Sequence, residues 1–515
     1  MRATMDPISL SGVPVFVAGA GIMGAGIAQV AALAGHAVHL FDTRAGAAAA
    51  ALSKLATTFE NLVAKGRLDA AAAQAALARI QPAHSLADAA TTGLVVEAIV
   101  EDLAAKRALF AELQGIVGAQ CVLATNTSSI SVTAIAAGLQ QPGRVVGMHF
   151  FNPVPLMRLV EVVSGLQTDA AVAAAIATLA QAWGKQPVQA KSTPGFIVNR
   201  IARPYYAEAL ALLHENAATP ATLDAAMRGA GFRMGPCELM DLIGHDTNLA
   251  VTNSVFQANF FDKRYQPSTL QHEMVLGGLL GRKSGQGFFA YPAAASAQPA
   301  SAQPQAPSPA GLVIHGRGAI VDALAGRALA AWGPPPARAQ GSDWTGVHTD
   351  AMRLVMTDGR TAAELAANAA HTANAHGPPV AVFDRLLALP VAPGTPLAFA
   401  VTDDSLRAPA AALLASMGFA PQPVADTPGL VAARTVAMLI NEAADAVHQG
   451  VCDEAGADTA MTLGLNYPAG PFDFLRAWSA AEVVALLDVL DNTYRGERYR
   501  VSPWLRRRMW HDAAR

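Results

Sequence analysis

A helical segment occurs twice in this chain, and that duplication limits the possible folds more than any single motif does. Thr193-Pro194-Gly195-Phe196 returns as Thr427-Pro428-Gly429-Leu430. Each copy then runs through an Arg (Arg200, Arg434), an Ala-Met pair (Ala226-Met227, Ala460-Met461) and a Gly-Pro-x-acid stretch (Gly235-Pro236-Cys237-Glu238, Gly470-Pro471-Phe472-Asp473). A Tyr-x-x-Ser segment and a later Met close both copies, Tyr265 to Met274 and Tyr499 to Met509. Self-similarity of this kind marks a duplicated structural unit. The copies differ at one telling place: the first has Asn199 before its Arg, and the register-matched residue in the second is Ala433. If Asn199 carries chemistry, only one copy works.

Around the repeats the pattern is α/β. Val15-Phe16-Val17-Ala18, Val38-His39-Leu40-Phe41, Leu94-Val95-Val96-Glu97, Val122-Leu123-Ala124-Thr125 and Val145-Val146-Gly147-Met148 predict successive strands of a largely parallel sheet. An Ala-rich insertion from Gly46 to Gln81 predicts a helical hairpin turning near Lys65-Gly66. Pro292 to Pro309 holds only Ala, Ser, Gln and Pro, the composition of a flexible linker. Beyond it Leu312-Val313-Ile314, Met352 to Met356, Val380 to Phe383 and Leu397 to Val401 predict four strands of a smaller α/β domain. The expected order is an α/β domain over residues 1–192, an all-α domain over 193–291, a linker over 292–310, a reduced α/β domain over 311–420 and a degenerate second all-α copy over 421–515. A chain of 515 residues needs several such cores.

Composition excludes several function classes. Charged residues make up 15% of the chain and the net charge is −3, which argues against a nucleic-acid partner. Cys121, Cys237 and Cys452 are widely spaced, which suits a reducing cytoplasm and gives no zinc or disulfide framework. No metal is expected. Val13 to Phe41 is long and nearly uncharged, but glycines 19, 21, 24, 26 and 35 break it into strand, turn and helix, so no membrane span is expected. Arg2 and Asp6 precede it with no apolar region, so no signal peptide is expected either.

Gly19-Ala20-Gly21-Ile22-Met23-Gly24 is a G-x-G-x-x-G that follows a strand and opens a helix, and the next strand ends in Asp42. The glycines let the backbone approach a pyrophosphate, the helix N-terminus presents N–H groups to it, and the acid accepts hydrogen bonds from an adenosine ribose. The first domain is therefore expected to be a Rossmann-type NAD-binding domain, with Asp42 favouring NAD over NADP and Arg44 two residues later opposing that preference.

Two strand-end clusters follow, Thr125-Asn126-Thr127-Ser128-Ser129 and His149-Phe150-Phe151-Asn152-Pro153, with Glu161 beyond. A His with a carboxylate in reach is the minimum for an oriented general base. On spacing alone a buried structural His and a surface Glu stand beside the dyad as equal readings. The wording of these segments, with Pro194-Gly195-Phe196-Ile197-Val198-Asn199-Arg200, closely resembles the L-3-hydroxyacyl-CoA dehydrogenase family over roughly residues 12–291, including its 3-hydroxybutyryl-CoA members. The duplicated second half resembles longer bacterial members, including those of aromatic-acid degradation.

The resemblance implies that His149 takes the proton from the substrate's 3-hydroxyl, that Glu161 holds the imidazole, and that Ser128 and Asn199 bind substrate oxygens. It implies NAD contacts from Asn152, Glu101, Lys106 and Lys283 beside those of the glycine turn, a solvated helix face or turn being the other reading of Glu101, Lys106 and Lys283. At the CoA moiety the family's Ser and Lys are matched by Ala51 and Thr58, leaving Lys54, Lys65 or Arg67 as replacements. The implied activity is NAD-dependent oxidation of (S)-3-hydroxyacyl-CoA to 3-oxoacyl-CoA in fatty-acid or aromatic-acid degradation. A dehydrogenase of a non-CoA hydroxy acid, and an NAD- or acyl-CoA-binding sensor without turnover, are the alternatives. Gly316-Arg317-Gly318 lacks a third glycine, with Val321 in its place, so the second α/β domain is expected to be a non-catalytic, reduced Rossmann-like domain. Because relatives dimerise through the helical domain, the chain is expected to be a monomer with an internal pseudo-dimer or a homodimer. Every proposed catalytic residue precedes Pro292, so a chain cut there is expected to expose an apolar patch and to dimerise or aggregate, yet to keep some activity when soluble.

Overall fold

The computed structural model describes residues 8–292, 308–373 and 379–514. The residues read for a signal peptide and most of the expected linker, 293–307, lie outside them. The apolar runs form two sheets. In the first, β1 (Val15–Ala18), β2 (Val38–Phe41), β3 (Ile80–Pro82), β4 (Leu94–Glu97), β5 (Val122–Thr125), β6 (Val145–Phe150), β7 (Leu159–Ser164) and β8 (Gln186–Lys191) take the order β3-β2-β1-β4-β5-β6-β7-β8. Only the β6/β7 pair is antiparallel. The five predicted strands are there, and the helical insertion resolves into helices Ala47–Ala64 and Ala70–Arg79. The apolar runs do not give β3, β7 or β8. β3 is three residues ending in Pro82, Glu161 interrupts β7, and β8 at the sheet edge exposes Gln186, Gln189 and Lys191.

The second sheet holds β9 (Val313–His315), β10 (Ala337–Ala339), β11 (Gly346–His348), β12 (Arg353–Met356), β13 (Val380–Phe383), β14 (Thr395–Val401) and β15 (Phe419–Pro423), in the order β10-β9-β11-β12-β13-β14-β15. It is mixed, with parallel pairs only at β10/β9, β12/β13 and β14/β15. Three strands are added to the four predicted, all of them short or interrupted by polar residues, and β15 spans the boundary drawn at residue 420.

The chain divides into two compact units that do not follow the repeat: residues 1–200 with Gln449–Leu465, and Ile201–His448 with Asn466–Arg515. In the first unit, helix Glu454–Leu465 of the second copy packs on β7 and β8. In the second unit, helix Pro220–Gly229 of the first copy packs on β14 and β15. Each sheet is covered by a helix from the other copy, so the first half does not complete its own unit.

Inside the second unit the two copies meet through helices Arg203–His214 and Ala432–His448. Charges buried there are paired, as burial demands. Arg434 donates to Glu208 at 2.8 Å with both side chains fully buried, and Glu208 also receives Tyr499 and Arg498. Arg264 pairs with Asp445 and Glu442, and Tyr265 donates to Glu442.

Helix Ala432–His448 is fastened to the second sheet by Asp384, which follows β13. Its carboxylate accepts the backbone N–H groups of Val431, Ala432 and Ala433 at 3.1, 2.6 and 2.9 Å, and that of Arg385 at 2.9 Å. Asp384→Ala leaves these buried donors unmade and is expected to lower the unfolding free energy by about 2–4 kcal/mol in urea denaturation. A loss under about 0.5 kcal/mol, the scale of an ordinary surface substitution, would show that the helix start is held by other means.

Candidate active site

β1 runs into the glycine turn, and helix Ile22–Leu33 starts from Gly21 without a side-chain cap, so its first N–H groups stay available to a ligand. Gly19 has φ +107°, and a Cβ there would lie 2.4 Å from the Ala98 carbonyl oxygen; one at Gly24 would lie 1.8 Å from the Gly19 oxygen. At Gly21 a Cβ would meet nothing within 4 Å, which leaves the approach to the turn open. Ile22 is 79% exposed beside it and Met23 is half-buried. Asp42 closes β2 and accepts the Ala20 N–H at 2.9 Å. Arg44 binds the same carboxylate through its N–H and Nε at 3.0 and 2.9 Å, and this pairing, helped by Ala20 and opposed by burial, lowers the Asp42 pKa to about 2. An uncapped helix start, an open glycine and an ionised acceptor at the strand end fit a dinucleotide.

The next two strand ends are tied together by charge. Lys106 is 1% exposed and binds Glu97 at the end of β4 at 2.6 Å and Glu101 at 3.2 Å. Glu97 also accepts the Thr125 hydroxyl at 2.6 Å. The Oε1 atom of Glu101 accepts the Thr127 hydroxyl (2.6 Å), the Ser128 and Ser129 N–H groups (3.0 and 3.2 Å) and the Ser129 hydroxyl (3.0 Å), and lies 3.4 Å from the Ser128 hydroxyl. Burial pushes the Glu101 pKa up, but these donors and Lys106 outweigh it and hold the carboxyl below its ordinary range. Glu101 and Lys106 thus form the clamp that sets the Asn126-Thr127-Ser128-Ser129 turn. Asn126 in turn accepts the Phe150 N–H at 2.9 Å, joining the ends of β5 and β6.

The antiparallel β6/β7 register places His149 opposite Glu161. His149 Nδ1 lies 2.6 Å from Glu161 Oε2, and Glu161 Oε1 accepts the Ile197 and Val198 N–H groups at 3.0 and 2.9 Å. The two side chains are therefore bonded to each other, and both are buried. With Nδ1–H given to the carboxylate, Nε2 keeps its lone pair and can accept a proton. His149 is 6% exposed, its ring against Phe151 and Phe196 at centroid distances of 4.6 and 5.9 Å. Asn199 Nδ2 approaches the Ser128 carbonyl at 3.5 Å, so Ser128, His149, Glu161 and Asn199 gather in one place. Asn152 is exposed just past β6. The turn that follows it is held by Lys185, whose Nζ donates to the Val154 and Met157 carbonyls and whose pKa burial lowers to about 8.

Other expected residues stand elsewhere. Lys283 belongs to the second unit and pairs there with Asp246. Lys54 is exposed on helix Ala47–Ala64, Ala51 is packed into the core, and the Thr58 hydroxyl is bonded to the Lys54 carbonyl. In the second sheet the residue after β10 is Gln340, not an acid, and its carbonyl accepts Arg317 Nε at 2.7 Å. Beyond β13 the Asp384 N–H donates to the Ala398 carbonyl of β14, and the histidines of that sheet, His315 and His348, lie on β9 and β11. Among the described residues no three His, Cys, Asp or Glu side chains are grouped to hold a metal ion, and no helix is long and apolar enough to cross a membrane. Sequence reasoning passed over Glu97, Lys185 and the Asn126 amide. A charge closing a wholly apolar strand was the available signal for Glu97; Lys185 gave none.

The family model of the 3-hydroxyacyl-CoA dehydrogenase NAD-binding domain matches residues 14–193, and that of the C-terminal domain matches twice, over 195–291 and 429–514. The chain belongs to the 3-hydroxyacyl-CoA dehydrogenase family. It is 43% identical to the 3-hydroxyadipyl-CoA dehydrogenase of Escherichia coli, over 96% of this chain and 97% of that one. It is 41% identical to a probable 3-hydroxybutyryl-CoA dehydrogenase of Bacillus subtilis, which spans 54% of this chain and is itself 96% covered. The crystal structure of a 3-hydroxybutyryl-CoA dehydrogenase from Escherichia coli matches with a TM-score of 0.86 at 41% identity, covering 98% of this chain and all of that one. The expected family and fold class are confirmed, and with them NAD as cofactor and the oxidation of a 3-hydroxyacyl-CoA as the reaction.

A pH-independence follows from Asp42. A carboxyl with its pKa lowered to about 2 loses its charge only as pH falls through that value, so between about pH 5 and about pH 9 it should impose no change on NADH affinity. Asp42→Ala should weaken NAD binding and shrink its advantage over NADP across that whole range. Fluorescence titration of both cofactors checks this, and unchanged affinities for both would place the ribose acceptor elsewhere.

Proposed function

We propose that His149 is the general base of this dehydrogenase and that Glu161 orients it, a reading carried by the 2.6 Å bond between Nδ1 and the carboxylate. NAD supplies the hydride acceptor for C3 of the substrate. His149 Nε2 takes the 3-hydroxyl proton of the (S)-3-hydroxyacyl-CoA as the carbonyl forms, and Glu161 stabilises the resulting imidazolium. Ser128 and Asn199 hold the substrate oxygens, their approach to one another supporting a shared role. Asn152 is assigned to the nicotinamide end, while the glycine turn with Ile22, Met23 and Asp42 takes the adenosine diphosphate portion. Glu101 and Lys106 serve the cofactor by fixing the Ser128 turn. For the CoA moiety Lys54 is the assigned cation, supported by its exposure on the insertion helix.

Full-length Escherichia coli relatives carry both a 3-hydroxyadipyl-CoA and a 3-hydroxybutyryl-CoA name. We take both thioesters as substrates, with a place in fatty-acid or aromatic-acid degradation. Three free cysteines, two of them buried, support a cytoplasmic setting. The exchanged helices support a monomer that is internally a pseudo-dimer.

Steady-state NADH formation with 3-hydroxybutyryl-CoA, 3-hydroxyadipyl-CoA and free 3-hydroxybutyrate is the test. Thioesters are expected to be preferred over the free acid; equal turnover would remove CoA from recognition, and tight NADH binding without turnover would favour a sensor. His149→Ala should lower kcat by about 10²–10⁴-fold while leaving NADH affinity in place. A variant keeping more than about half of wild-type kcat would take His149 out of the mechanism. Calorimetric titration should find one NADH per chain, since the second sheet has Gln340 rather than an acid after β10.

A further inference from the structure

We propose that Gln449 and helix Glu454–Leu465, supplied by the second copy, position the His149–Glu161 pair and Asn199 of the first. This inference rests on the proposed roles of those three residues. Arg200 is 3% exposed, follows Asn199 in the helical turn Val198–Ile201, and donates Nη1–H to Gln449 Oε1 at 2.8 Å. Two positions on, the Val451 carbonyl accepts the Lys191 N–H at 2.9 Å and so fastens the end of β8. The helix that follows lies directly on the strands. A Cβ on Gly456 would sit 2.9 Å from Val188 Cγ1, and one on Gly464 would sit 2.9 Å from Leu159 Cδ2 and 3.1 Å from Val198 Cγ2. Leu159 lies two residues from Glu161 on β7, and Val198 gives its N–H to Glu161. The second copy therefore touches the carboxylate's strand on one side and its backbone donor on the other.

The repeat supplies an internal control. Arg434, the counterpart of Arg200, donates to Glu215, the counterpart of Gln449, at 3.0 Å. Gly229, on the corresponding helix of the first copy, is seated so closely on β14 that a Cβ would fall 1.9 Å from the Pro396 oxygen. The same exchanged contact is thus made on both sheets, but only on the first does it back an imidazole. An equivalent lesion on the other sheet should cost stability alone. Displacing a reacting group by about 1 Å is enough to cost up to about 100-fold in rate, so a contact that holds the Asn199 turn in place acts on turnover without touching substrate.

The experiment uses the full chain. Gln449→Ala is expected to lower kcat about tenfold or more, to displace the pH profile of kcat, and to leave NADH affinity unchanged. Hydrogen exchange of the segment 195–200, whose Ile197 and Val198 amides bond to Glu161, should speed up in the same variant. Gly464→Val should act in the same direction by lifting the helix off Leu159 and Val198. Glu215→Ala should lower the melting temperature while kcat stays within about twofold of wild type. Gln449→Ala with wild-type kcat, pH profile and exchange overturns the proposal, even if its melting temperature falls, because that outcome is structural only. Rates are taken as ratios to wild type on one substrate. A wild-type chain that oxidises no 3-hydroxyacyl-CoA would instead count against the proposed function, and the exchange measurement would then judge the positioning contact by itself.

Discussion

The carboxylate of Glu161 is the joint on which the first unit turns. It is fully buried, and a buried carboxylate persists only where its lone pairs are filled. Two backbone N–H groups at the start of the helical segment fill one oxygen, and the imidazole of His149 fills the other. The backbone bonds answer a structural need, since the first N–H groups of a helix have no partners of their own. The imidazole bond adds chemistry to a carboxylate the fold already requires. That is why one residue can join a strand to a helix and hold an imidazole at once: both tasks ask for an acceptor oxygen in a fixed place.

The exchange of helices between copies has a related cause. A sheet edge such as β7/β8 needs an apolar cover, and the repeat unit places its covering helix over the other sheet. Duplication in one chain supplies both covers without a second molecule. The buried ion groups around Arg434 and Arg264 then restrict how the copies can pair. A buried guanidinium with its carboxylates and phenols is matched only in one register, whereas alanine-rich helix faces would slide.

Much of this was legible in the sequence, for identifiable reasons. Apolar runs gave the strands that are buried on both faces, and the glycine spacing gave the dinucleotide turn, because both patterns are local. The His149–Glu161 pair stayed undecided on spacing because it depends on the antiparallel return of β7, and β7 was itself hidden by Glu161 in its middle. Glu101 and Lys106 stood out only by resemblance; that they clamp the Ser128 turn follows from burial, which spacing does not encode. Lys185 bonds two carbonyls, and no side-chain partner advertises it. Gln449 lies far from Arg200 in sequence and belongs to a copy that appeared idle. The crossing of partners between copies leaves no local trace in the sequence.

The two halves also separate what the fold needs from what the reaction needs. Both keep the Thr-Pro-Gly turn with Gly195 and Gly429 at positive φ, the Arg that reaches into the other copy, and a strand-end carboxylate that binds the first N–H groups of the helix. Those features are common to both halves and answer needs of folding. Asp42, the Asn126-Thr127-Ser128-Ser129 turn, His149 and Asn199 are not repeated in the second half, where Gln340 and Ala433 stand at the positions that can be matched. The helix starts show this most plainly: in the first half Glu161 of β7 accepts the Ile197 and Val198 N–H groups, and in the second Asp384, after β13, accepts those of Val431, Ala432 and Ala433. The physical demand of unpaired N–H groups explains why a buried carboxylate stands at both places.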